Sequence, residues 1–255
     1  MDNENRCQGV KLKTHVLMKP LESTTQPGGP EAKWLGGAYH RRNFLRIAGA
    51  TAATGTLVLA GCSRDDDDMP SNGGLSFGTG DVRILNYAYA LEQLEAAFYT
   101  QVAMSFFAGA TDTEKALLTD IRNHEVAHRE FFKAALGAAG ATALPNLEVD
   151  FSSINFGDRA SVLNTAKTFE DLGVAAYNGA GRYIENADYL TLAGKIVSVE
   201  ARHAAFIRDL LSNGSFADNT VIDANGLEMS KAPRVVLAAA APFIKTQLDP
   251  STLPA

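Results

Sequence analysis

One feature limits what this chain can fold into more than any other: a short polar pattern that occurs twice in register. Glu92 is followed seven residues later by Tyr99, and Glu125 three residues later by His128; Glu170 is then followed by Tyr177 at seven, and Glu200 by His203 at three. The two glutamates of each copy lie 33 and 30 residues apart. Spacings of three, four and seven put side chains on one face of an α-helix. Apolar residues in the same frame extend each face. These are Leu85, Tyr89, Ala96 and Ala103 around Glu92, and Leu117, Ile121, Phe132 and Leu136 around Glu125. Leu163, Ala166, Val174 and Ile184 surround Glu170, and Ile196, Ile207 and Leu210 surround Glu200. Each copy therefore reads as a helical hairpin carrying acid on the stripe that should face a core. The register also separates Glu92 from Glu95, because the counterpart of Glu95 in the second copy is Gly173.

The segmentation supports four long helices. The first begins near Asp81 and ends near Gly109; Thr111 with Glu114 reads as a capping box opening the second, which stops near Gly137 or Gly140. Residues 141–157 contain Pro145 and have no helical period. Asn186-Ala187-Asp188 breaks the third helix from the fourth, which closes at Asn213-Gly214, and a shorter apolar segment runs from Lys231 to Thr246. Short turns make antiparallel neighbours. The link of about seventeen residues can extend roughly 55 Å, and a helix of ~26 residues is ~39 Å long, so the link can run the length of the bundle. The expected fold is all-α: an antiparallel four-helix bundle with a long crossover between helices two and three, and a short fifth helix.

Four carboxylates on core-facing stripes cost several kcal/mol each, in order of magnitude, unless they are protonated, paired or bound to metal. The stripes carry no lysine or arginine, whereas two divalent ions would balance four carboxylates. A Glu-x-x-His pair can hold one ion from a single helix face. Glu92, Glu125, His128, Glu170, Glu200 and His203 are therefore the candidate metal ligands, and Tyr99 and Tyr177 are candidate hydrogen-bond donors to the carboxylates. Only His124, His128 and His203 follow Cys62, and two of them fill the motif. Glu95, within one turn of Glu92, is read as solvated, with a supporting place beside the ligands as the alternative, and His124 as a surface or supporting group without a ligand role. Phe98, Phe106, Phe107, Phe131 and Phe132 are read as core. Oxygen and nitrogen ligands without thiolate suit iron or manganese, and zinc as well.

This ligand set, one glutamate from each of two helices and Glu-x-x-His from each of two others, resembles the ferritin-like superfamily of di-iron and di-manganese proteins. The doubled Glu-x6-Tyr is similar to that of rubrerythrin relatives. The segments Leu91 to Tyr99 and Ala241-Pro242-Phe243-Ile244 resemble a ferritin-like domain family that includes desiccation-related proteins. The resemblance spans residues 81–213. It implies a dinuclear centre reacting with oxygen or peroxide, in a peroxidase, catalase-like or ferroxidase role. A non-catalytic metal-binding or desiccation-type structural protein is the alternative. The rubredoxin-like cysteines of rubrerythrin are missing, so an electron donor would be external. A 24-subunit storage cage fits poorly with a lipid anchor on each subunit; a smaller oligomer stays open.

The first 62 residues read as an address. Arg41-Arg42 precedes a short apolar run from Ile47 to Ala60, which ends Leu59-Ala60-Gly61-Cys62. The pattern is that of a twin-arginine signal, and its ending resembles a lipobox, which implies Cys62 as the lipidated anchor. An uncleaved membrane anchor is the competing reading. Met18 competes with Met1 as the start. The expected partners are thus the twin-arginine translocon and a bacterial membrane, with the domain periplasmic or on the cell surface. Residues 63–80, with Asp65 to Asp68 and Gly73-Gly74, read as a flexible tether, and 214–255 as a C-terminal extension. Residues 1–62 carry a formal charge of +4 and the remainder −10, without a basic stripe, which argues against nucleic-acid binding. Two cysteines make neither a disulfide framework nor a thiolate cage.

Overall fold

The computed structural model describes residues 73–255. Arg41, Arg42, Cys62 and most of the expected tether lie outside them. Five α-helices account for most of the described chain: α1 (Gly80–Met104), α2 (Asp112–Ala138), α3 (Arg159–Ala180), α4 (Ala187–Leu211) and the short α5 (Pro233–Ala240). The first four form an all-α ferritin-like bundle, with α1 packed on α2, α3 on α4, and α1 on α3. No described helix is long and apolar enough to cross a membrane.

Local chemistry sets most helix boundaries. The Thr111–Glu114 capping box forms in both directions: the Thr111 hydroxyl accepts from Glu114 N, and the Glu114 carboxylate accepts from Thr111 N. Asp158 caps α3 by accepting from Ser161 N, and Asn186 caps α4 by accepting from Asp188 and Tyr189 N. Two helices are shorter than their periodicity suggests. α1 stops at Met104, before Gly109, because the chain turns back to bury Phe107. α3 stops at Ala180, and a 3-10 turn, Gly181–Tyr183, carries the chain to α4. That turn is tied to the start of α1, where Asp81 accepts from Glu185 N and Asn186 N at 2.8 Å each. The fifth helix is confined to Pro233–Ala240 and followed by a 3-10 turn, Ala241–Phe243.

The long link does run across the bundle, and α1 holds it. Asn86 accepts from Leu144 N at 2.9 Å and donates to Thr142 O and Phe77 O at 3.1 Å each. Two turns on, Gln93 accepts from Leu147 N at 2.9 Å and donates to Pro145 O. Both amides are buried, so pairing with link backbone removes the cost of two unsatisfied groups at once. Every residue of α1 from Ile84 to Ala96 is consequently buried.

The C-terminal segment closes over α3. Lys231 N donates to Ala175 O, and a side-chain carbon at Gly179 would fall 1.8 Å from Lys231 O. Only glycine permits that approach. The flexible stretch expected up to Gly80 needs correction at its end. Leu75–Ser76 (β1) pairs in parallel with Leu248–Asp249 (β2), and Phe77 is wholly buried.

Candidate metal centre

Each helix delivers its polar residues to one level of the bundle interior. Glu92 comes from α1, Glu125 and His128 from α2, Glu170 from α3, and Glu200 and His203 from α4. All four glutamates are 0% exposed. The six candidate ligands thus meet, and they do so as two overlapping groups. Glu92, Glu125, His128 and Glu200 each offer one atom to a cluster spanning at most 4.8 Å, and so do Glu125, Glu170, Glu200 and His203. Glu125 and Glu200 belong to both. His128 Nδ1 is 2.8 Å from Glu200 Oε1 and 3.5 Å from both Glu92 Oε2 and Glu125 Oε2. His203 Nδ1 is 2.9 Å from Glu125 Oε1 and 3.5 Å from Glu170 Oε2.

The tyrosines cross between halves. Tyr99 of α1 donates to Glu170 Oε1 of α3 at 2.5 Å, and Tyr177 of α3 donates to Glu92 Oε1 of α1. Each phenol therefore holds the carboxylate of the opposite helix, not of its own. Each also leaves that carboxylate's second oxygen turned toward a histidine.

Electrostatics reflect the crowding. Burial, then the neighbouring Glu200, hold Glu92 and Glu125 above the usual carboxylate range. Glu170 is pushed up to about 7 by burial, against the opposing pull of His203. Glu200 goes the other way, to about 2, because the nearness of His128 and His203 outweighs its burial. Burial alone would lower the two histidines, but their carboxylate neighbours push both up to about 12. Without metal, the two imidazoliums are the only cations of the cluster, and they do not balance it.

Glu95 differs from its sequence reading, and His124 takes the supporting place read for it. Glu95 is not solvated: it is 4% exposed, and burial with the four cluster glutamates drives it well above the ordinary range. Gly173 makes room for it, since a side-chain carbon there would lie 3.1 Å from Glu95 Oε1 and 3.8 Å from Glu200 Oε2. The register that pairs Glu95 with Gly173 was the available signal. His124 is exposed, yet its Nδ1 lies 2.9 Å from His203 Nε2 and the rings stack at 5.1 Å. It occupies the outer nitrogen of His203 and so turns Nδ1 into the cluster. Of the phenylalanines, Phe98, Phe107 and Phe132 are core, and Phe106 and Phe131 pack partly buried against it.

This geometry of paired helical hairpins with a buried carboxylate–histidine cluster coincides with a match to a family model, that of the ferritin-like domain, over residues 80–213. The chain belongs to the ferritin-like domain family. No curated protein matches it. The matched span of the ferritin-like domain contains all six cluster residues and both tyrosines, and leaves out α5 and the C-terminal strand.

Proposed function

We propose that this ferritin-like protein binds two metal ions, iron or manganese, one in each overlapping group, with Glu125 and Glu200 shared between them. The sharing is the observation that carries the reading. Fit is supported by the polar atoms the fold leaves unpaired. Among the described residues, eleven buried side-chain nitrogen and oxygen atoms lack a hydrogen bond of good geometry, and eight of these belong to the six cluster residues. His128 Nδ1 is among them despite lying 2.8 Å from Glu200 Oε1. Atoms that converge on common points without pairing, in a buried setting, suit a cation.

Glu92 with His128, and Glu170 with His203, would complete the two positions. When bound, a redox-active pair would supply electron exchange with oxygen or peroxide. The chain's own contributions are positional. Tyr177 and Tyr99 fix the two unshared glutamates, each by one oxygen, and His124 fixes the orientation of His203. The apolar core around them excludes water, which strengthens every charge interaction inside. We further propose twin-arginine export, guided by Arg41 and Arg42, and anchoring through a lipid on Cys62, which would set the domain on the outer side of a bacterial membrane. Export in the folded state would let metal be loaded before translocation.

A non-catalytic reading, in which metal only holds the bundle, draws support from the complete burial of the four glutamates. Oxygen and peroxide consumption by the metal-loaded full-length protein separates the two. Turnover abolished by Glu200→Ala supports oxidoreductase chemistry, and inert loaded protein overturns it. Cys62→Ala is expected to release the protein from the detergent phase; unchanged partitioning would contradict the lipid anchor.

A further inference from the structure

A cavity of about 30 Å3 lies inside the bundle, beside the cluster and toward the start of α1. Ala88, Leu91, Phe132, Ala176, Tyr177 and Leu192 are among the residues that line it, so all four long helices contribute. Its lining is almost wholly apolar, and two of the three phenols on it differ. The Tyr177 hydroxyl is committed to Glu92, whereas the Tyr87 hydroxyl is buried without a hydrogen-bond partner. No cluster residue lines the cavity, and Tyr177 stands between the two. Leu91 precedes Glu92 in the chain, Phe132 is one turn from His128, and Tyr177 touches both the cavity and Glu92. Ala135 on α2 and Ala193 on α4 also line it and are only partly buried, so it approaches solvent between those two helices.

We propose that this cavity is a binding site for a small, uncharged apolar molecule, and that its occupant is dioxygen. A single water needs about 10–15 Å3 of such space and two to four polar partners to stay. The volume here is larger than that, and of the hydroxyls on the lining only that of Tyr87 is both buried and unpaired. Enclosed apolar cavities stay dry and take up apolar guests such as xenon, and the apolar lining here favours the same guests. A diatomic molecule matches the size, and a long hydrocarbon chain does not. A polar oxidant such as peroxide would forfeit its hydrogen bonds on entering. The naming of dioxygen rests on the proposed metal centre, one tyrosine away; the cavity's preference for apolar guests does not.

Xenon is the probe. In solution, 129Xe NMR of the full-length protein is expected to show one saturable site. Ala176→Leu, within the cavity, and Ala193→Leu, at its partly exposed wall, are expected to abolish that site. The second variant keeps the test decisive if the first fails to fold. No saturable uptake by the wild type, or unchanged uptake by folded variants, overturns the cavity site. Metal content is measured on the same samples. Xenon uptake without metal would remove the metal reading and leave the cavity standing, whereas metal without xenon uptake would do the reverse. In the loaded protein, Ala193→Leu is expected to slow oxidation by dioxygen at least tenfold and leave oxidation by peroxide unchanged. An equal fall in both rates would overturn dioxygen as the occupant.

Discussion

The α1–α3 pair and the α2–α4 pair each supply two of the four cluster glutamates, yet they are built differently. α1 and α3 carry the Glu-x6-Tyr copies and are covered from outside, α1 by the crossover that Asn86 and Gln93 hold and α3 by the segment at Lys231. Their glutamates are clamped by phenols reaching across from the partner helix. α2 and α4 carry the Glu-x2-His copies and supply both shared glutamates. They face one another through histidines, His124 is exposed, and the His128 side chain keeps 12% of its surface. One pair is thus a fixed wall and the other is the side nearest solvent. The difference teaches that a repeated ligand motif need not give a symmetric site. The crossover, outside the repeat, is held by α1 alone, while the C-terminal segment meets α3 at Lys231 and the end of α4 at Arg208.

The comparison can be broken hardest at a shared ligand. Glu125→Ala should remove an oxygen donor from both positions and release both ions, while His128→Ala should spare one position in part. Leaving the opposed charges of the cluster uncompensated should cost about 3–5 kcal/mol. Elemental analysis and chemical denaturation of the two variants would show the contrast, and equal metal loss in both would argue against sharing.

A change that touches the fixed wall but not the site comes next. Gly179→Ala places a carbon against Lys231 O, and overpacking there should cost about 3 kcal/mol. The metal content of the protein that still folds should stay normal. An unchanged denaturation midpoint would mean that the C-terminal segment does not brace α3.

The crossed phenols sharpen the comparison further. Tyr177→Phe and Tyr99→Phe each remove one hydrogen bond to a buried carboxylate, worth about 2 kcal/mol, and should weaken metal binding by about 10- to 100-fold. Glu92→Gln should abolish the effect of Tyr177→Phe and not that of Tyr99→Phe. Competition titrations in a double-mutant cycle would read this, and the opposite coupling would restore pairing within a helix.

The smallest effect concerns pH. In the metal-free protein His128 and His203 are raised to about 12, well above the unfolded value near 6.5. Their contribution to stability is complete below about pH 6.5 and is lost as pH rises toward 12. Metal-loaded protein should behave in the opposite way, losing metal as pH falls, because protons compete for the same nitrogens. Melting temperatures of stripped and loaded samples across pH 5–9 should therefore diverge; parallel curves would contradict the account.

Much of this was readable from spacing alone. The six cluster positions and both tyrosines follow from helical period and the internal repeat, because residues three and seven apart share a face whatever surrounds the helix. The Thr111–Glu114 cap is equally local. What spacing does not encode is which helix each face meets. The crossing of Tyr99 to Glu170 and Tyr177 to Glu92 depends on the approach of α1 to α3. The total burial of α1 depends on Asn86 and Gln93 finding backbone more than fifty residues away. Glu95 was misread for the same reason. A lone glutamate on a helix looks solvated until the glycine opposite, Gly173, is seen to vacate its space. The β1–β2 pairing joins residues some 170 apart and left no periodic trace.

The most direct test of the central claim is the metal stoichiometry of the full-length protein, purified without chelator and compared with Glu125→Ala. The account predicts close to two equivalents of iron or manganese per chain in the wild type and close to none in the variant. A folded wild-type protein without metal, its cluster neutralised by protons alone, would contradict it.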